Sequence, residues 1–150
     1  MKKQLLIILI LIFGSLIVKG QTKPKVIKMD FKRNAVYGEF LGNGLYYSIN
    51  YERQFILKDN ERITARIGFS DITLITEFNY LVGGKNNFFE PGVGYTYFFN
   101  DPDNLVMIRA GYRYQGKKGL IIRIAPQWAF NTESDSFGGF WGSISLGYNF

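Results

Sequence analysis

From residue 35 onward, apolar and polar side chains alternate in eight runs: 35–41, 45–57, 62–70, 72–82, 87–99, 105–115, 119–130 and 140–150. In the last run Phe140, Ile144, Leu146, Tyr148 and Phe150 share one face, and Trp141, Ser143, Ser145, Gly147 and Asn149 share the other. Leu120, Ile122, Ile124, Trp128 and Phe130 likewise oppose Arg123, Ala125, Gln127 and Ala129. Val106, Ile108, Ala110, Tyr112 and Tyr114 oppose Arg109, Gly111 and Arg113. Phe89, Val93, Tyr95, Tyr97 and Phe99 oppose Glu90, Gly92, Gly94 and Thr96, while Leu45, Tyr47, Ile49, Tyr51 and Phe55 oppose Ser48, Asn50 and Glu52. A period of two is strand geometry, because successive Cβ atoms point to opposite faces. The runs are separated by 42–44 (GNG), 58–61 (KDNE), 70–71 (SD), 83–86 (GGKN), 100–104 (NDPDN), 116–118 (GKK) and 131–139 (NTESDSFGG), which are turn sequences. Short connections between consecutive strands predict an all-β fold, a closed antiparallel up-and-down β-barrel of about eight strands. Pro91 and Pro126 fall inside runs and predict a bulge or strand end, since proline has no ladder donor. The first run is short and its alternation is weak.

Periodicity alone leaves open which face is inside. Three features point the apolar face outward, towards lipid. No lysine after residue 34 falls inside a run; Lys58, Lys85, Lys117 and Lys118 all stand in turns, whereas a soluble barrel carries lysine on its solvent face. The polar face holds Glu39, Glu52, Glu77 and Glu90 against Arg66, Arg109, Arg113 and Arg123, interleaved with small residues. That balance suits a narrow lumen, where an unpaired buried ion costs several kcal/mol. Finally, aromatic residues gather towards the run ends: Phe55, Phe78, Tyr80, Phe89, Tyr112, Tyr114, Tyr148 and Phe150 at one, Tyr47, Phe69, Tyr97, Phe99, Trp128, Phe130 and Phe140 at the other. Two aromatic belts match the two interfaces of a bilayer. Arg53 falls on the apolar face by parity, near enough to the end of its run for its stem to snorkel.

The first 20 residues change the compartment. Lys2 and Lys3 precede an uncharged stretch from Leu5 to Val18, and Val18 and Gly20 are small enough to flank a cleavage site before Gln21. As a helix that stretch spans about 21 Å, short of the roughly 30 Å hydrocarbon core, so 1–20 read as a signal peptide in preference to an uncleaved anchor. Residues 21–33 are polar and basic, a periplasmic arm preceding the barrel at 34–150. The formal net charge of +6 falls to +3 once Lys2, Lys3 and Lys19 are removed with the leader. The basic arm suits an anionic membrane surface better than nucleic acid, which is not expected as a partner.

Candidate chemistry is sparse. The chain has no histidine and no cysteine, which removes the commonest general base, the commonest metal ligand and every thiolate. Phosphate loops, nucleophile elbows and calcium loops are absent from the sequence. The oxygen-rich stretch 100–104 is explained by a proline-containing turn. No cofactor, metal site or catalytic residue is assigned.

The terminal segment SISLGYNF, ending in Leu146, Tyr148 and Phe150, and the segment YGEFLGNGLYYSINYERQF at 37–55 resemble the small eight-stranded, porin-like outer-membrane β-barrel proteins of Gram-negative bacteria. The resemblance covers about 34–150. It implies that Phe150, Tyr148 and Leu146 act as a signal read by the barrel-assembly machinery, and that outer-membrane lipid is the surrounding partner. It also implies periplasmic termini, with 58–61, 83–86 and 116–118 as periplasmic turns and 42–44, 70–71, 100–104 and 131–139 as outer connections. It specifies no activity and no oligomeric state. The favoured function is a structural or interaction barrel with a side-chain-filled, charge-paired lumen. Alternatives are a narrow conduit or small-molecule carrier, a secreted soluble barrel binding an apolar ligand, and, least favoured, an enzyme pairing Glu77 with Glu90.

Overall fold

The computed structural model describes residues 32–58, 60–100, 104–132 and 137–150. The stretches read as a signal peptide, 1–20, and, but for its last two residues, as an arm, 21–33, lie outside them. The described residues contain no helix and form eight strands: β1 Asn34–Phe40, β2 Tyr47–Lys58, β3 Glu61–Phe69, β4 Thr73–Gly84, β5 Asn87–Phe98, β6 Leu105–Gln115, β7 Leu120–Asn131 and β8 Phe137–Asn149. Each pairs antiparallel with the next, and β8 returns to β1 through pairs such as Gly38 with Leu146 and Phe40 with Ile144, closing the barrel. Reciprocal bonds between the Asn34 and Phe150 backbones, 3.1 and 2.8 Å, extend that seam. Closure leaves no sheet edge unpaired.

The predicted runs differ from the strands by a few residues at each end, most at two places. Leu45 belongs to a tight turn rather than to β2; it and Leu41 have positive φ, 66° and 54°. β8 begins at Phe137, inside the stretch read as an outer connection, and a register shift beside Ala129 accommodates the extra residue where Gly139 adopts φ 145°. A side chain is strained at that φ and glycine is not.

Neither proline makes the predicted bulge. Opposite Pro91, pairing of β4 with β5 lapses between Asn79–Gly92 and Val82–Phe89 and then resumes in register, while Pro91 still pairs with Ala110 on β6. Opposite Pro126, pairing of β6 with β7 lapses between Arg109–Gln127 and Tyr112–Ile124, while Pro126 pairs with Gly142 on β8. In an antiparallel sheet a residue's N–H points to one neighbour only, so proline's missing donor interrupts one ladder. The other holds the register. Phe78, assigned by pattern to an aromatic belt, stands at the centre of β4 between Ala65 and Val93.

The distribution of side chains is inverted relative to a water-soluble domain. Among the described residues 22 polar or charged residues are buried against nine apolar ones, while 32 large apolar residues are exposed. In β2, β3, β4 and β7 the alternation of buried and exposed positions runs nearly unbroken, with Glu52, Arg66, Glu77 and Arg123 inside. Among the described residues Arg53 is the one charged side chain that faces outward from the middle of its own strand, level with Asn34 at the start of β1.

Candidate functional site

The lumen is where the charged residues meet. Parity carries Glu39 inward from β1, Glu52 from β2, Arg66 from β3, Glu77 from β4, Glu90 from β5, Arg109 and Arg113 from β6 and Arg123 from β7, and all eight are buried. They form one connected series. Arg66 donates to Glu39 at 2.6 Å and to Glu77 at 3.0 Å, and Arg109 lies 3.2 Å from both carboxylates. Arg123 grips both oxygens of Glu90, at 2.5 and 3.0 Å, and reaches Glu77 at 3.5 Å. Arg113 donates to Glu52 at 2.7 Å and lies 3.8 Å from Glu90. Every carboxylate therefore touches a guanidinium. Arg113 and Arg123 are direct cross-strand neighbours, a repulsive placement that Glu90 between them offsets.

Small residues opposite the large ones make this packing fit. Glu77 pairs across the sheet with Gly94, Glu90 with Gly111 and Arg109 with Gly92. A Cβ at Gly92 would overlap the Asn79 amide, and one at Gly68 would overlap that of Asn50. Asn50 is itself a member of the network, accepting from Arg66 Nε at 2.9 Å.

Several lumen residues were not assigned from the sequence. Tyr37 is buried with its ring 4.7 Å from the Arg123 guanidinium and 5.4 Å from that of Arg66. Its position two residues before Glu39 was the available signal, masked by the weak alternation of the first run. Arg62 shares the parity of Arg66; it donates to Gln54 at 3.2 Å and stacks over Phe88 at 4.6 Å. Gln54 also donates to Gln115 and Asn149, both at 3.3 Å. These amides fill the end of the lumen nearest the start of β1.

The other end is closed by the β1–β2 turn, which folds inward. Asn43 at its tip is fully buried and donates from its side chain to Glu77 at 2.6 Å, while its backbone N–H donates to Glu39 at 3.1 Å. Thr96 donates to the Asn43 carbonyl at 3.0 Å and Gln127 to the Leu41 carbonyl at 3.3 Å. A Cβ at Gly42 would overlap the Glu39 carboxylate, so glycine permits this approach. Beside the turn, Leu41, Leu45, Tyr46, Trp141 and Gly142 line an open apolar recess of about 310 Å³.

Leu146, Tyr148 and Phe150 lie together on the outer face of the closing strand and its end, all exposed. Among the described residues no group of three or more His, Cys, Asp or Glu side chains is arranged to hold a metal ion. The lumen arrangement can fix the strands' side chains in one register and fill the cylinder. Set against protein-family models, curated proteins and solved structures, the chain matches none.

Proposed function

We propose that this chain is a non-catalytic outer-membrane β-barrel of a Gram-negative bacterium, of the small porin-like kind. Its role is structural or interactive, and its lumen is closed by its own side chains. The observation that carries the reading is the inverted distribution: apolar residues cover the outside of a barrel whose inside is charged. Moving a large apolar side chain out of water is worth about 1.5–3 kcal/mol, and hydrocarbon surrounding the barrel supplies that for the whole outer face at once. A guanidinium beside each of the four buried carboxylates is what a lumen shielded from water requires. The leader at 1–20 supports export, and the absence of histidine and cysteine supports a role without chemistry.

Eight strands enclose an interior just wide enough for side chains, and here the ion network, the amide cluster and the inward turn occupy it. Solute passage is not part of the proposed role. The exposed Leu146, Tyr148 and Phe150 at the closing seam are the proposed recognition signal for assembly machinery, and outer-membrane lipid is the surrounding partner.

Fractionation with gel mobility tests the reading. The protein is expected in the outer-membrane fraction, migrating faster unheated than boiled, and without conductance steps in planar bilayers. Recovery in the aqueous fraction contradicts the location. Steady conductance that changes with Glu77→Ala contradicts the closed lumen and makes the barrel a conduit.

A further inference from the structure

The charges outside the lumen are sorted by end. At the end where the chain enters β1 and where β2–β3, β4–β5 and β6–β7 connect stand Lys32, Arg33, Lys58, Lys85, Lys117 and Lys118, with Arg53 on the nearby outer face. The sequence places two acids there, Asp59 and Glu61, and Lys58 pairs with Glu61 at 3.3 Å. At the opposite end the connecting segments carry Asp71, Asp101, Asp103, Glu133 and Asp135 and no lysine or arginine. Cations therefore outnumber acids at the first end, and the connecting segments of the second carry acids alone.

The basic end is also organised. Lys32 donates to the Lys118 carbonyl at 3.1 Å and to the Tyr148 hydroxyl at 3.0 Å, with its ammonium 4.6 Å from the Tyr148 ring centre. This draws Lys32 to the turn that carries Lys117 and Lys118. Among the described residues no carboxylate forms an ion pair with any of the three. Like charges gathered in this way repel, and an external anionic surface offsets that repulsion. Tyr112, Tyr148 and Phe89 are exposed on the outer face beside this end, where aromatic rings meet the headgroup level of a bilayer.

We infer that the basic end is a docking surface for the headgroups of anionic phospholipids, with phosphatidylglycerol as the probe. The inference rests on the membrane reading above. A lysine held at an anionic lipid surface contributes about a fivefold preference, and the effect is screened by salt.

The test uses the leader-free chain refolded in zwitterionic micelles, with equal phosphatidylglycerol and phosphatidylcholine, and native mass spectrometry to read the retained lipid. The wild type is expected to retain phosphatidylglycerol roughly tenfold over phosphatidylcholine and to lose that preference in about 0.5 M salt. Lys85→Gln/Lys117→Gln/Lys118→Gln approaches parity while keeping its heat-dependent mobility. Lys118→Gln alone gives a partial loss, so poor folding of the triple variant does not hide the result. A folded wild type retaining both lipids equally overturns the inference and leaves the membrane reading standing. A triple variant that keeps the full preference, or capture by peptidoglycan sacculi with no lipid preference, also overturns it. Wild-type protein without a heat-dependent mobility shift contradicts the membrane reading itself.

Discussion

At the residue scale, Glu77 is the hinge of the ion network, because it touches Arg66, Arg109 and Arg123 and accepts from Asn43. Removing its charge leaves three buried guanidinium groups sharing the remaining carboxylates. Breaking a buried pair costs about 3–5 kcal/mol, so Glu77→Gln is expected to lower the urea midpoint of the refolded barrel by a corresponding amount. Glu52→Gln, whose carboxylate contacts Arg113 alone among the arginines, is expected to cost less. Equal midpoints for both variants and the wild type would show that the network contributes nothing to stability. Gly92→Ala places a methyl against the Asn79 amide and is expected to cost about 1–3 kcal/mol through overpacking, read in the same titration. Parity put the eight charges of this network on one face, because a strand gives each residue one of two directions, and the balance of four acids against four bases pointed that face inward. Arg62 obeyed the same rule but stood at the edge of its run. Asn43 had no such signal: its inward direction follows from positive φ at Leu41 and Leu45, a turn geometry that alternation does not encode.

At the scale of elements, strand order and approximate bounds were legible because every run but the short first one was long and each break held turn residues. The bounds moved where the backbone left the simple pleat. Leu45 fell to a left-handed turn and β8 gained residues across a glycine bulge. The prolines, expected to make a bulge or strand end, interrupt one ladder each instead, since the sequence does not tell which neighbour a missing donor faces. The outer face of β5 offers the sharpest element-level prediction. Val93 stands at the strand centre, exposed, between Phe78 and Ile108. Under the membrane account, Val93→Lys places an ammonium at mid-bilayer depth and costs about 2–4 kcal/mol. The folded fraction in phosphatidylcholine vesicles is expected to drop accordingly, and an unchanged fraction counts against lipid contact at that position. The β1–β2 turn acts as a plug, so Asn43→Ala, which loses the bond to Glu77, is expected to lower the temperature at which the compact gel form is lost. No change in that temperature contradicts a closing role for the turn.

At the scale of the whole molecule, the barrel reverses the usual division of polar and apolar side chains between outside and inside. Charges that a soluble protein displays are folded inward, where each carboxylate meets a guanidinium, and the aliphatic and aromatic surface faces out. The closed eight-stranded fold could be read in advance because alternation, turn spacing and the confinement of lysine to turns and strand ends agree, although Lys58, read as a turn residue, closes β2. A specific partner could not, since short connections leave little surface that differs from one side to another. The chain lacks cysteine, so single cysteines introduced along β8 report each position separately. The most direct test of the central claim places a fluorophore at 143, 144, 145 and 146 in turn, in vesicles containing brominated acyl chains. The account predicts strong quenching at 144 and 146 and protection at 143 and 145. Uniform protection, or quenching of the 143 and 145 pair, would contradict it.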